Sequence, residues 1–339
     1  MEDPFAHSKK KDPVIGIFRQ KNPGNALILL VYALVLKFSL FIHPVAPALH
    51  PEDNYLYRVI LRGLDKVFGH TPLVYSILSF LILFSQATLF NRICNHNKLL
   101  PKPNYLPGMS YIIITSLLPD WGHFSAPLLI NSIMIWIYYR MIDLYNSHRP
   151  LSSIFGIGIW TGVVSLLYIP AMAFLLLVLF GLITMRPFRI REWLVGLLGF
   201  TCPYYFLFLV LYLTSHWEWD KVVPHIVFTL PAMPTSIWTT LGMFWLVLPF
   251  IAGGYFAQNN LSKMLIQIRK SWSLLLLYLV VAVVIILINR ADSYENWIVM
   301  AVPFAGFHAA AYYYPQRTTG PLILHWLIVA YIIAFNYFV

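Results

Sequence analysis

Long apolar runs separated by short polar segments recur along the chain from about residue 25 to Val339. Because a helix needs about 20 consecutive apolar residues to cross a bilayer, each run of near that length predicts one span. The predicted spans are about 25–43, 71–91, 107–119, 126–146, 153–169, 171–185, 193–214, 236–253, 272–289, 297–314 and 320–338. The pattern predicts an all-α fold, a polytopic bundle of about eleven transmembrane helices, with a polar N-terminus over residues 1–24 and a single membrane domain over 25–339.

A different pattern follows the first predicted span, in "HPVAPALHPEDNYLYRVILRGLDKVFGHTP". Pro44, Pro47 and Pro51 forbid helix up to residue 51, whereas the residues from Glu52 onward permit it. Apolar positions then recur at helical spacing, with charged residues on the opposite side; the apolar ones are Leu56, Val59, Ile60, Leu64, Val67 and Phe68. This predicts an amphipathic helix over about 52–68 that lies on the outer surface of the membrane.

Composition agrees with a membrane protein. The chain of 339 residues has 59% hydrophobic and 11% charged residues, with a mean hydropathy of +0.71, whereas soluble domains have about 25% charged residues. Its two cysteines, Cys94 and Cys202, show no CxxC spacing and fall where no bridge between them is expected, which excludes a disulfide framework.

The basic residues predict the orientation. With a cytoplasmic N-terminus, most of the 23 Lys and Arg residues fall in inner loops, as the positive-inside rule requires. The net charge of +10 then reflects topology, and no nucleic-acid partner is implied. Most of the 13 carboxylates fall in outer segments instead, and because acids contribute little to topology, this excess needs a separate cause.

Glu52 and Asp53 head the predicted interfacial helix. A structural role is open to them, because carboxylates in a first helical turn are favoured by the helix dipole. Arg58 and Arg62, one turn apart on its polar side, have two interpretations: contact with lipid headgroups, or a clamp for the phosphate of a lipid-linked substrate.

The segment "LLPDWGHFSAPLLI" puts Asp120 at the outer end of the third predicted span. An ionisable residue at that depth marks a functional site by default. The alternative is an N-cap for the next helix, but Ser125, two residues before Pro127, suffices for that role. His123 is placed to orient or protonate Asp120, or simply to hydrogen-bond at the interface.

Two further polar segments have weaker interpretations. In "SHWEWDKVVPHIV", a divalent cation is the one cofactor left open, although alternating tryptophans favour an interfacial belt; its candidate ligands are His216, Glu218, Asp220 and His225. In "TMRPFRIREW" the three arginines predict a cytoplasmic anchor, with Glu192 pairing with Arg189 or capping the seventh helix. No HxxxH or HxxHH motif is present, which argues against a membrane di-iron oxygenase.

The acids in "HPEDN" and "LLPDWGH" resemble the acidic motifs in the first and second outer loops of the GT-C class of membrane glycosyltransferases. The resemblance covers about residues 25–150, with 151–339 as the remaining transmembrane helices. The stretches "LLPDWGHFSAPLLIN" and "SLLYIPAMAFLLLVLFGLITMRPFRIREWLVGLLGFTCPYY" also resemble an uncharacterised inner-membrane family of the Bacteroidota. Many GT-C enzymes have a soluble outer domain, and this chain ends in a predicted membrane helix.

The resemblance implies transfer of a sugar from a polyprenyl-phosphate donor at the outer face of a bacterial inner membrane. Asp53 or Asp120, with Glu52 as their neighbour, would be the catalytic base, and Arg58, Arg62, His123 and Arg290 would hold the substrate. The alternative is a non-catalytic subunit or scaffold of an envelope complex, whose acids contact protein partners. Carboxylates that converge favour the enzyme, and carboxylates that splay apart favour the scaffold.

Overall fold

The computed structural model describes residues 13–214, 236–288, 294–317 and 319–338. This part of the chain is helical, with one isolated β-bridge between Asp53 and Tyr168. Its α-helices, in chain order, are α1 Pro13–Phe18, α2 Gly24–Leu36, α3 Ser39–Ile42, α4 Tyr55–Phe68, α5 Pro72–His96, α6 Leu106–Thr115, α7 Ala126–Asp143, α8 Pro150–Leu167, α9 Phe174–Met185, α10 Ile190–Leu213, α11 Ile237–Leu261, α12 Ile266–Leu287, α13 Ala301–Tyr313 and α14 Thr319–Phe338.

The predicted all-α fold is confirmed, and every predicted span coincides with one or more of these helices. Six helices of the described chain are long and apolar enough to cross a membrane, namely α5, α8, α10, α11, α12 and α14. Shorter apolar segments lie at Gly24–Leu36, Leu106–Thr115 and Ile169–Met185. The predicted count of eleven spans is therefore not confirmed.

Helix α4 confirms the predicted amphipathic helix but begins at Tyr55 instead of residue 52. Its apolar side supplies Tyr57 and Leu61 to the core, where both are almost fully buried. The polar side carries Arg62, which is exposed. Asn54 is the N-cap, because its side-chain oxygen accepts a 2.7 Å hydrogen bond from the amide of Tyr55.

The short helix α6 determines where the chain turns toward Asp120. Ten residues span about 15 Å, which is half of a bilayer core, so its C-terminal carbonyls need partners inside the bundle. Lys37 Nζ donates to the carbonyl oxygen of Thr115 at 2.9 Å, and Asn336 Nδ2 donates to that of Ser116 at 3.1 Å. A cation is favourable at a helix C-terminus, which explains why the buried Lys37 is tolerated.

Close helix packing holds α8 against α10. A Cβ added to Gly158 would lie 2.4 Å from the carbonyl oxygen of Gly196, and one added to Gly162 would lie 2.5 Å from that of Phe200. Only glycine permits this approach, as in the small-residue interfaces of membrane helices. The tight packing of α8 against α10 fixes the position of the C-terminal end of α8, which contacts the segment that contains Glu52 and Asp53.

Candidate functional site

Three turns of the chain meet at one end of the bundle. Each contains a short 3-10 helix, at Pro119–Gly122, Ile169–Ala173 and Tyr294–Met300. The indole N–H of Trp121 donates to the carbonyl oxygen of Tyr294 at 2.8 Å. Asn131 Nδ2, on α7, donates to the carbonyl oxygen of Ile298, also at 2.8 Å. These bonds fix the Asp120 turn against the segment that begins with Tyr294 and Glu295.

The segment before α4 is fixed to the second turn by backbone pairing. The amide of Asn54 donates to the carbonyl oxygen of Leu167, and the amide of Ile169 donates to that of Glu52, both at 3.0 Å. Asn54 Nδ2 adds a 2.8 Å bond to the carbonyl oxygen of Ser165. The pairing keeps Glu52 and Asp53 outside α4, so the prediction that they occupy the first turn of a helix is wrong, and so is the dipole role based on it.

The carboxylate of Glu295 lies between two histidines. His50 Nε2 lies 3.2 Å from Glu295 Oε2, and His123 Nδ1 lies 3.7 Å from Glu295 Oε1. Asp53 Oδ2 accepts a 2.8 Å hydrogen bond from the amide of His50. Both Asp53 and Asp120 are close enough to Glu295 to interact with its charge.

We call this group the acidic cluster; its members are His50, Glu52, Asp53, Asp120, His123 and Glu295. They come from three segments distant in sequence. Asp53 and Asp120 thus lie near one shared carboxylate, that of Glu295.

Burial changes the proton affinity of the two aspartates. Asp53 is only 3% exposed, and burial raises its pKa to about 6, against the lowering effect of the His50 amide and the charges of His50 and Arg58. Burial also raises the pKa of Asp120, opposed by the charge of His123. A carboxyl whose pKa lies near neutrality is suited to accept and release a proton.

The pKa values of Glu295 and His50 shift in opposite directions, and both shifts favour the charged form. Burial alone would raise the pKa of Glu295, but hydrogen bonds and charges from His123 and His50 outweigh it and hold the pKa below its usual value. The hydrogen bond to Glu295 raises the pKa of His50. Glu295 thus stays ionised and orients both rings, while Asp53 and Asp120 hold their protons more readily.

The substrate-binding candidates are only partly brought to this cluster. Arg58 is half-buried, and its Nε donates to the carbonyl oxygen of Asp53 at 2.9 Å. Arg62 is exposed one turn away on α4. Arg290 and the weak metal candidates His216, Glu218, Asp220 and His225 lie outside the described residues. Within the residues that are described, no group of three or more His, Cys, Asp or Glu side chains is placed to hold a metal ion.

The predicted cap is confirmed at Ser125, whose Oγ accepts a 3.4 Å hydrogen bond from the amide of Leu128 at the start of α7. Asp120 lies earlier, inside the 3-10 turn, and caps no helix.

Sequence reasoning missed Glu295, the residue on which the cluster centres. It was visible as one of several outer acids, in "YENW" just before the tenth predicted span, but nothing in its local pattern distinguishes it. His50 and Trp121 were missed as positioning residues for the same reason.

A protein-family model matches residues 57–339. The chain belongs to DUF6427, a family of unknown function. The matched range includes Asp120, His123, Glu295 and α4 from Tyr57 onward, and it begins after Glu52 and Asp53. No curated protein and no solved structure matches the chain.

Proposed function

We propose that the protein is a membrane-embedded glycosyltransferase of GT-C type, which uses a polyprenyl-phosphate-linked sugar. The observation that carries the proposal is the convergence of Asp53 and Asp120 on Glu295 and its two histidines. A scaffold would allow its acids to splay apart, so the convergence favours the enzyme over a subunit that only contacts envelope proteins.

The proposal includes a topology. The N-terminus is cytoplasmic, the chain spans the bacterial inner membrane about eleven times, and the acidic cluster faces the extracytoplasmic side. Helices of 10 to 13 residues such as α6 and α13 cross with the help of the adjoining 3-10 turns. The excess of Lys and Arg in the predicted inner loops supports this orientation.

The proposed reaction involves one proton transfer and one leaving group. Asp120 or Asp53 takes the proton of the acceptor hydroxyl as its oxygen bonds to the anomeric carbon of the sugar. The bond from that carbon to the phosphate oxygen breaks, and the polyprenyl phosphate departs with the electron pair. Arg62 and the guanidinium of Arg58, on the polar side of α4, compensate the charge that develops on the phosphate. Glu295 holds His50 and His123 in place.

The test compares polyprenyl-linked sugars and envelope glycans between a deletion strain and strains that carry Asp120→Asn or Asp53→Asn. Both substitutions keep the side-chain volume and remove the charge, so we expect accumulation of the lipid-linked donor with normal protein levels. Arg62→Ala should weaken donor use. Unchanged glycans in the deletion strain, with a secretion or motility defect instead, would reject the enzyme in favour of the scaffold.

A further inference from the structure

One wall of the acidic cluster contains polar atoms without partners. Both carboxylate oxygens of Glu52 and the hydroxyl of Tyr168 are buried and have no hydrogen-bond partner among the described residues. Glu52 is 8% exposed and Tyr168 is 1% exposed. A buried polar group without a partner is costly, and a carboxylate most of all, so these atoms call for a ligand that supplies donors.

The side chains of Glu52 and Tyr168 lie close to each other. Their backbones are joined by the bond from Ile169 to Glu52 and the bridge between Asp53 and Tyr168. The Tyr168 hydroxyl interacts electrostatically with Glu52, Asp53 and Glu295. Glu52 also acts on His50. The unpartnered atoms therefore border the cluster that the proposed reaction uses.

The cations near Glu52 contact other groups. His50 faces Glu295, and the Nε of Arg58 is bonded to the carbonyl oxygen of Asp53. Four carboxylates thus share two histidines and one arginine, and the carboxylate of Glu52 makes no ion pair within the described chain. A ligand group at this position is favoured if it is positively charged.

The number of donors selects the kind of cation. An ammonium group has three N–H donors, which match the two oxygens of Glu52 and the hydroxyl of Tyr168. A guanidinium has five donors in a plane, and Ca²⁺ or Mg²⁺ needs about six oxygen ligands. No cluster of metal ligands exists in the described part of the chain.

We propose that Glu52 and Tyr168 form a subsite for a primary ammonium group, carried by an amino sugar or by an aminoalcohol lipid headgroup. This inference deepens the proposed function and rests on it for the meaning of the cluster as a substrate site.

The experiment uses the full chain in detergent micelles at mildly acidic pH, where amines are protonated. Binding of glucosamine is compared by calorimetry with that of N-acetylglucosamine, which keeps the ring and lacks the charge. We expect glucosamine to bind at least about tenfold tighter, and Glu52→Gln to remove that preference. Tyr168→Phe should weaken the binding of glucosamine by a smaller factor than Glu52→Gln does. The control variants Asp143→Asn and Tyr205→Phe, at exposed positions, should change nothing.

A second arm tests the lipid source. The protein in nanodiscs of phosphatidylethanolamine or phosphatidylcholine is examined by native mass spectrometry, and selective retention of phosphatidylethanolamine that Glu52→Gln abolishes also supports the ammonium subsite. The proposal is overturned if neither amine binds with a preference that depends on Glu52, or if Mg²⁺ alone competes for the site. If the wild-type protein transfers sugar but binds no amine, the ammonium subsite is rejected and the proposed function stands. If it binds the amine through Glu52 but transfers no sugar, the proposed function is rejected and the subsite stands.

Discussion

At the end of the bundle opposite the acidic cluster, the buried carboxylate of Glu192 has a dedicated cation. Arg186 Nε lies 3.3 Å and 3.2 Å from the two carboxylate oxygens, and its Nη1 donates to the carbonyl oxygens of Leu144 and Ser147 at 2.8 Å and 3.2 Å. At the acidic cluster, several carboxylates share two histidines, and Glu52 has no partner in the described chain. A buried carboxylate with its own cation, as at Glu192, is typical of a structural ion pair. Buried carboxylates without enough partners, as at the acidic cluster, are typical of a ligand-binding site.

The largest stability effect should come from breaking the pair at the Glu192 end. Arg186→Ala leaves Glu192 buried and alone, and we expect a loss of about 3–5 kcal/mol in the free energy of unfolding. Thermal unfolding in detergent, followed by circular dichroism, measures it. The double variant Arg186→Met with Glu192→Leu should recover most of the loss, because an apolar pair needs no compensating charge. A single variant as stable as the wild type would contradict the comparison.

The acidic cluster should respond to pH. The raised pKa of Asp53, about 6 in the folded protein and about 3.9 unfolded, means that the folded state binds the proton more tightly. Stability is therefore lost as the pH rises from about 4 through about 6, by an amount on the order of 2 kcal/mol. The raised pKa of His50 acts in the same direction and is lost above its folded pKa, whereas the lowered pKa of Glu295 limits the gain at the acid end.

The measurement is the unfolding temperature between about pH 4 and pH 7 for the wild type and Asp53→Asn. We expect the wild type to unfold at lower temperature at the higher pH, and Asp53→Asn to reduce that dependence. An equal pH dependence in the two proteins would show that Asp53 is not the titrating group.

The smallest expected change in stability is found by comparing variants of Ser125 and Asp120. Ser125→Ala removes a helix cap and should cost about 1 kcal/mol of stability, and the proposed sugar transfer should be retained by the molecules that fold. Asp120→Asn should change stability less, because Asp120 caps no helix. Unfolding curves of the two variants, recorded side by side, decide whether the structural role belongs to Ser125.

The helices could be predicted from the sequence because their signals are local. Apolar runs mark nearly every helix, and Pro127 with Ser125 marks the start of α7. The start of α4 was misplaced by three residues because Glu52 and Asp53 are good first-turn residues. They lie outside the helix because the backbones of Glu52 and Asn54 pair with Ile169 and Leu167, more than a hundred residues away, and no local pattern contains that information.

The site shows the same limit. Asp53 and Asp120 could be singled out because a carboxylate beside a membrane span is expensive wherever it lies. The partners of most acids could not be predicted, although His123 was expected to interact with Asp120 and its charge does act on that residue. The sequence left Glu192 two roles, a pair with Arg189 or a cap for the seventh predicted helix. Glu192 lies in the first turn of that helix, α10, and its ion-pair partner is Arg186, which points back toward the carbonyls that follow α7, whereas Arg189 lies exposed just before α10.

The most direct test of the account is the rate of sugar transfer by the purified protein in lipid vesicles that contain a polyprenyl-phosphate sugar. Asp120→Asn and Asp53→Asn are compared with Asp143→Asn, whose carboxylate is half exposed at the Glu192 end. Loss of a general base lowers rates by about 10²–10⁴-fold, so the account predicts a loss of that size for at least one cluster variant and none for the control. Equal rates in all three variants and the wild type would contradict it.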